Sequence, residues 1–230
     1  MRDFLTSYEA AVQPLRTRAA LASWNASVTG DQSEYEAAAA ANLELTRYHS
    51  DKQKYEQLKA WLGTDNITDA SLRRRLELVC HSFEANQGDP ELLKKLIGAE
   101  SAVEQRFNTF RAAIDGKPIP DNELKGILKT EVKDMNRRRQ AWEATKQIGS
   151  EVAEQVLELA RMRNQLARSL GYDNYFQMSL ELSEIEPAEL VRLSDELDDM
   201  IRDEFANVKG EIDRIQSAKL GVPVDELMPW

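Results

Sequence analysis

Apolar residues recur along most of this chain at the spacing of amphipathic helices. The clearest case begins at Glu186-Pro187 and runs to Ala218, where apolar positions are separated only by threes and fours: Leu190, Leu193, Leu197, Ile201, Phe205, Val208, Ile212 and Ile215. This pattern predicts the longest element of the fold, a helix of roughly 48 Å at about 1.5 Å per residue. Its opposite face is charged, which is typical of a solvated surface. No alternation of useful length predicts a strand.

A second apolar stripe ends at a glycine and is followed at once by more apolar residues. The stripe comprises Val152, Val156, Leu159, Leu166 and Leu170. Gly171 supplies the left-handed residue that ends a helix, and the next helix is predicted to begin within a few residues. Arg163 stands where the stripe would hold an apolar residue. Two interpretations stay open: an arginine at the edge with its head in water, or a buried arginine paired with a carboxylate that fixes the helix register.

The N-terminal part of the chain predicts two helices. Pro14 lies inside the first, so it either kinks that helix or marks its true start. Gly30 ends the first helix, and Asp31 and Glu34 form a capping-box pattern that begins the second. The second helix is predicted to run without a break through an alanine block to about Leu62.

Three further helices are predicted before residue 149. The third begins at Thr68 or Asp69. The fourth begins at Asp89-Pro90, since aspartate caps a helix and proline fits its first position, and it ends at residues 115–118. The fifth runs from Pro120 to about Gly149 as one helix, with the apolar positions Leu124, Leu128, Val132, Met135 and Trp142.

The composition agrees with a helical fold and narrows the classes of function. The chain is 42% hydrophobic and 30% charged, as in soluble globular proteins, and its 10 glycines and 7 prolines are too few for a β-sandwich or β-barrel. With a net charge of −10, we expect no binding to nucleic acid or anionic membranes through the overall field. No apolar run of about 18 residues predicts a membrane span. Residues 1–8 show no signal-peptide pattern, and the compartment stays open.

Residues and motifs that commonly serve in catalysis or metal binding are scarce. The only histidines are His49 and His81, and neither belongs to a His-Glu-x-x-His zinc motif. Cys80, His81 and Glu84 lie close in sequence, but adjacent Cys80 and His81 point about 100° apart on a helix, which argues against a shared metal ion. There is no glycine-rich phosphate loop and no Gly-x-Ser-x-Gly motif. We therefore predict no catalytic, metal-binding or cofactor-binding residue in this chain.

Two basic runs are interpreted as helix-surface charges. They are residues 73–75 and 137–139, and acidic neighbours favour ion pairs within a helix over nucleic-acid binding. A carboxylate-bridged metal site in a helical bundle would need Glu-x-x-His. Thr46 and Leu78 occupy the glutamate positions, so that enzyme class ranks last.

One segment carries a resemblance to a known family. Arg163-Asn-x-x-Ala-x-x-Leu-Gly-Tyr-x-x-Tyr175, followed by a very long amphipathic helix, resembles the N-terminal half of the angiotensin-converting-enzyme-like zinc peptidases, and is similar to the related thimet-oligopeptidase and oligopeptidase-F families. Residues 22–30 resemble the opening of the converting-enzyme-like group, and Arg138-Arg-x-Ala-Trp142 resembles its tryptophan segment. Together these segments touch nearly all of the chain.

The resemblance implies an all-α fold of long antiparallel helices, the lid-bearing N-terminal half of a zincin-like helical peptidase. Residues 1–230 would be one helical region of a larger catalytic domain, with sub-regions 1–149 and 150–230. In such enzymes zinc activates a water molecule and a motif glutamate acts as general base. Those residues lie in the C-terminal half and are absent from this sequence. We therefore expect a non-catalytic portion of a zinc-dependent oligopeptidase or dipeptidyl carboxypeptidase that hydrolyses short peptides, with the C-terminal half as its partner.

A second hypothesis does not need the resemblance. The helix at 187–218 could serve as the partner surface of a stand-alone helical interaction protein, because its three-four spacing fits a coiled coil as well as a buried face. Under either hypothesis we expect exposed apolar surface on this helix and near Trp230, and self-association through it. No counterpart of the family's chloride-binding arginine is visible after Trp142, where Glu143, Ala144 and Thr145 follow.

Overall fold

The computed structural model describes residues 1–131 and 133–230, and they are 79% helical. The prediction of an all-α fold is therefore confirmed. The described residues form nine helices: α1 (Arg2–Thr29), α2 (Gln32–His49), α3 (Lys52–Leu62), α4 (Ala70–Glu84), α5 (Pro90–Thr109), α6 (Asp121–Thr130), α7 (Met135–Ser169), α8 (Tyr175–Leu182) and α9 (Pro187–Leu220). Within this described part, no helix combines the length and the apolar character needed to cross a membrane.

The chain divides into two compact units. The first consists of residues Met1–Thr109 and Glu154–Glu184, and the second of Phe110–Ala153 and Ile185–Trp230. Helix α7 supplies residues to both units.

The first unit is built on a helical hairpin. Helices α1 and α2 are joined by Gly30 and Asp31 alone, and they pack against each other along their length. Small buried residues, Ala26 and Ala38, allow the close approach. Gly30 has φ +76°, a left-handed conformation in which a side chain would be strained. The predicted end of the first helix at Gly30 is thus confirmed.

The main core of the first unit lies where α3 and α4 join this hairpin. It consists of Leu5, Tyr8, Val12, Leu58, Leu76, Val79, Cys80 and Phe83. Phe83, Leu58 and Leu76 are fully buried. Full burial of each such side chain stabilises the fold by about 1.5–3 kcal/mol.

Two predicted helices are each broken in the structure. The second ends at His49, and α3 begins anew because the Asp51 carboxylate accepts a hydrogen bond from the amide of Lys54 at 3.1 Å. The fifth ends at Thr130. Helix α7 then starts at Met135, with the Asp134 carboxylate accepting from the amide of Arg137 at 2.9 Å. In both places an aspartate within an apolar pattern acts as an N-cap.

Helix α7 also corrects the predicted boundary at Gly149. It passes through that residue without a break and runs on to Ser169, so its 35 residues make it longer than α9, with 34. The prediction that the segment from Pro187 forms the longest element is therefore wrong. Val132, assigned by the pattern to the fifth helix, lies outside the described residues.

Other predicted helix ends have mixed outcomes. Asp69 and Asp89 cap as predicted, by accepting hydrogen bonds from the amides of Leu72 and Leu92. Asp31 precedes α2, but its side chain makes no capping hydrogen bond, so the capping-box prediction is wrong. Pro14 lies within a continuous α1 and is not its start.

A short β-hairpin in the second unit was not predicted. Strands β1 (Ala112–Ile114) and β2 (Lys117–Ile119) pair in antiparallel register through a turn with positive φ at Asp115 (53°) and Gly116 (75°). Three-residue strands are too short to show an alternating pattern. The hairpin packs on the small core of the second unit, formed by Ala112, Leu124, Ile127, Ala141 and Ala144.

Candidate functional site

His49 lies in the aromatic core of the first unit and has only structural partners. It is 4% exposed. Its Nδ1 lies 3.1 Å from the carbonyl oxygen of Leu45, so Nδ1 carries the proton and Nε2 accepts a hydrogen bond from the Tyr8 hydroxyl at 3.0 Å. Arg16 in turn donates to the Tyr8 oxygen at 3.3 Å. Burial lowers the pKa of His49 from 6.5 to about 4, so the ring is neutral at pH 7.

The three side chains near the end of α4 point to different partners. His81 Nδ1 lies 3.2 Å from the carbonyl oxygen of Leu182, and Glu84 accepts a hydrogen bond from the Tyr172 hydroxyl at 2.8 Å. Burial raises the pKa of the Cys80 thiol to about 11, which keeps it protonated and unreactive at neutral pH. Cys80, His81 and Glu84 therefore serve the fold of the first unit.

The segment that carries the family resemblance forms a turn whose polar groups hold two helices together. After α7, the amide of Tyr172 donates to the carbonyl of Ala167 at 3.1 Å, and Gly171 has φ +94°. Both features are those of a Schellman motif, and the prediction that Gly171 ends the helix in a left-handed conformation is confirmed. The Asn164 side chain accepts a hydrogen bond from the amide of Tyr175 at 2.9 Å and so ties the start of α8 back to α7.

Arg163 of this segment pairs with a carboxylate of α5. Its Nε and Nη2 lie 3.1 and 2.7 Å from Glu100 Oε1, and its guanidinium sits 5.3 Å from the ring centre of Tyr175. The side chains of Arg163 and Glu100 are 37% and 36% exposed. The structure therefore combines the two interpretations: the arginine is paired, but at a half-exposed position.

The basic runs behave largely as surface charges. Arg73 pairs with Glu77 at 3.3 Å, and Arg139 pairs with Glu143 at 2.7 Å, both four residues along the same helix. Two of these arginines also hold backbone carbonyls: Arg73 Nη2 donates to Leu62 at 3.2 Å, and Arg138 Nη1 donates to Leu128 and Glu131. The sequence pattern does not distinguish these two arginines from their neighbours in each run.

Helix α9 presents a long apolar surface that no described residue covers. We call it the α9 stripe: Leu193, Leu197, Ile201, Phe205, Val208, Ile212 and Ile215, which are between 47% and 65% exposed. None of the residues of α9 is buried. Its polar face carries ion pairs within the helix, among them Arg202 with Asp198, and Lys209 with Asp213 at 2.5 Å. A continuous exposed apolar stripe of this kind is typical of a surface that contacts another protein.

The described residues do not fit a zinc site. Across residues 1–131 and 133–230, no three His, Cys, Asp or Glu side chains come together in a way that could hold a metal ion. A catalytic zinc ion needs three protein ligands and an open position. The sequence also contains no His-Glu-x-x-His. We therefore assign no catalytic step to this chain.

Comparison with known proteins places these features in a family. The family model described as peptidase M2, angiotensin-converting enzyme, matches residues 1–210. The match includes α1 to α8 and most of α9, together with the Arg163–Tyr175 segment. Comparison with curated proteins gave no match.

Proposed function

Because this chain belongs to the angiotensin-converting enzyme family of peptidases, we propose that it forms the N-terminal, non-catalytic portion of a zinc-dependent enzyme of that family. The enzyme would be an oligopeptidase or a dipeptidyl carboxypeptidase that hydrolyses short peptides. Zinc and the peptide would bind the part of the enzyme that follows residue 230, and residues 1–230 would supply the lid over the cleft.

The observation that carries this proposal is that the chain matches the family but lacks the zinc-binding motif on which the family's catalysis depends. The match extends over residues 1–210, and enzymes of this family depend on zinc. The sequence, however, contains only two histidines, His49 and His81. The imidazole rings of both form hydrogen bonds with neighbouring groups of the first unit. A zinc peptidase that uses two motif histidines must obtain them from another segment.

The α9 stripe supports the same proposal. Seven apolar side chains lie exposed along one face of a 34-residue helix. A water-exposed apolar face of this length favours association with another protein surface. The catalytic portion of the same enzyme is the occupant that the family match favours.

The intact mass and zinc content of the protein made by its native host test this proposal. We expect a mass well above 26.1 kDa and bound zinc. The 230-residue chain alone should show no peptide hydrolysis. Chelator-sensitive hydrolysis by the purified chain would contradict the proposal, and a native mass equal to 26.1 kDa without zinc would favour the alternative.

The alternative is a stand-alone helical interaction protein that uses the helix at 187–218. It is favoured by the spacing of the α9 stripe, which serves a coiled-coil seam equally well. Under it, the purified chain forms a defined dimer in solution, which Phe205→Glu abolishes and Asp203→Lys, on the polar face, preserves. A monomer or a broad mixture of masses would count against this alternative.

A further inference from the structure

A groove in the first unit lies between α1 and α4 and combines an apolar floor with a positively charged edge. Its volume is about 550 Å³, and the end of α8 borders one side. Sites for small molecules have volumes of roughly 300–1,000 Å³. We call it the α1–α4 groove, and its lining includes Leu5, Tyr8, Arg16, Leu78, His81 and Leu182.

The apolar part of the α1–α4 groove is formed by the core and by one exposed leucine. Leu5 of the main core is 1% exposed and lies in the floor. Leu78 on α4 is 48% exposed, and Leu182 at the end of α8 is half-buried. Along α4 the lining runs from Arg75 to Ala85, a length of about 15 Å at about 1.5 Å per residue. An elongated apolar groove of this kind suits an extended hydrocarbon chain.

The positive edge of the groove is Arg16, an exposed residue of α1. Its Nη2 donates to the Tyr8 oxygen at 3.3 Å, and the Tyr8 hydroxyl in turn donates to His49, so the guanidinium is held beside the groove floor. Over residues 1–131 and 133–230, the structure gives Arg16 no carboxylate partner. Arg75, the other arginine of the groove, is neutralised by Glu9 at 2.6 Å. Two arginines and one glutamate give the lining a formal charge of +1.

This charge pattern favours a singly charged anion. A guanidinium binds a planar carboxylate through its N–H groups. One cation without a partner matches one negative charge, and the nearby carboxylate of Glu9 disfavours an anion of higher charge such as a phosphate. The groove therefore complements a monocarboxylate that carries an apolar chain.

We propose that the α1–α4 groove binds a medium-chain alkyl carboxylate, the anion of a free fatty acid. Arg16 binds the carboxylate, and the alkyl chain contacts Leu5, Leu78 and Leu182. The site needs neither zinc nor a catalytic portion, so it stands apart from the proposed function.

Calorimetric titration of the 230-residue chain with octanoate tests this site. Octan-1-ol, which has the same chain without the charge, and butyrate, which has the same charge on a shorter chain, are the matched controls. Octanoate should bind roughly 5-fold more tightly than octan-1-ol, because a charge-assisted hydrogen bond at an exposed arginine is partly screened by water. It should bind at least about 10-fold more tightly than butyrate, since each buried CH₂ group corresponds to roughly 4-fold in affinity. Equal binding of octanoate and either control, or no saturable binding of octanoate, overturns the proposal.

An exchange of one arginine locates the carboxylate. Arg16→Gln should weaken octanoate binding roughly 5-fold and change octan-1-ol binding less than about 2-fold. Arg18→Gln is the matched control, because Arg18 is exposed on the same helix, pairs with Glu44 and does not line the groove. It should change the binding of either ligand less than about 2-fold. Wild-type affinity for octanoate in Arg16→Gln overturns the assignment of the carboxylate.

An exchange of one leucine locates the alkyl chain. Leu78→Gln should weaken the binding of octanoate and of octan-1-ol at least about 5-fold, whereas Leu21→Gln, at a 60% exposed position of α1 outside the groove, should leave both within about 2-fold. Phe205→Glu distinguishes the groove from the α9 stripe and should also leave octanoate binding unchanged. Loss of octanoate binding in Phe205→Glu, or wild-type affinity in Leu78→Gln, overturns the site.

Discussion

Helices α1 and α9 are both long and amphipathic, yet only α1 has a buried face. Helix α1, with 28 residues, buries Leu5, Tyr8, Val12, Ala19 and Ala26, whereas α9, with 34 residues, buries none. The difference lies in the helices that pack on each one. Helix α2 packs along α1, and α3 and α4 complete the core around Leu5, Tyr8 and Val12, whereas α9 is followed by a short 3-10 turn at Val224–Glu226. A hydrophobic pattern identifies the face of a helix, and the neighbouring chain decides whether that face is buried.

The largest difference in the free energy of unfolding should appear when one aromatic ring is removed from the core beside α1 and one from the α9 stripe. Phe83→Ala empties a fully buried position in the core that α1 shares, and it should lower the free energy of unfolding by about 3–5 kcal/mol. Phe205→Ala on the α9 stripe, 65% exposed, should change it by less than about 0.5 kcal/mol. Urea denaturation measures both. A large loss in Phe205→Ala would mean that α9 is covered in solution.

The buried histidine in the α1 region should make stability depend on pH. The pKa of His49 in the folded chain, about 4, lies below its ordinary value of 6.5. The unfolded chain therefore binds more protons between those pH values, and the free energy of unfolding should fall by about 2 kcal/mol from pH 7 to pH 5. His49→Gln should remove this part of the dependence, while Phe205→Ala should keep it. Denaturation curves at the two pH values measure it, and an unchanged slope in His49→Gln would refute the assignment.

Two glycines sharpen the comparison because the same substitution should act in opposite directions. At Gly30, with φ +76°, a Cβ would be strained and would meet Thr109 Cγ2 at 3.2 Å, so Gly30→Ala should cost about 1–2 kcal/mol. At Gly210, inside α9, a Cβ meets nothing within 4 Å, so Gly210→Ala should stabilise by about 0.5–1 kcal/mol. Thermal denaturation compares them. Destabilisation by Gly210→Ala would indicate a close neighbour on that side of α9.

The smallest effect should come from the ion pairs on the polar face of α9. Arg202→Gln removes its pairs with Asp198 and Asp199, in which all three side chains are at least 62% exposed. Exposed pairs within a helix contribute little to stability and are screened by salt. The difference from wild type should therefore vanish in about 1 M salt. Helicity followed by circular dichroism at low and high salt measures it, and a loss that persists at high salt would point to a contact other than charge.

The sequence predicts the helical fold well, because most elements carry a strong local signal. The three-four spacing locates α9, and Gly30 and Gly171 locate the ends of α1 and α7. The breaks at Asp51 and Asp134 were missed, since an aspartate inside a continuing apolar pattern differs from a surface aspartate only by its hydrogen bonds. The β1–β2 hairpin was missed because three-residue strands have no measurable period.

Among the functional features, too, those set by local sequence were predictable and those set by long-range contacts were not. Motif spacing in the Arg163–Tyr175 segment identified the family, since the residues of that turn are set by local geometry. The bonds of Arg138 to two backbone carbonyls could not be foreseen, because they depend on how the end of α6 lies against α7. Long-range contacts of single side chains leave no periodic trace in a sequence.

The two-residue link between α1 and α2 bears on how the protein is made. All residues of that hairpin lie within the first 49 of the chain, so its contacts are local and can form while later residues are still being added at the ribosome. Helix α9 emerges more than a hundred residues later with its apolar side chains bare. We therefore expect the first hairpin to form early in synthesis, and α9 to be the segment that exposes the most apolar surface as the chain emerges.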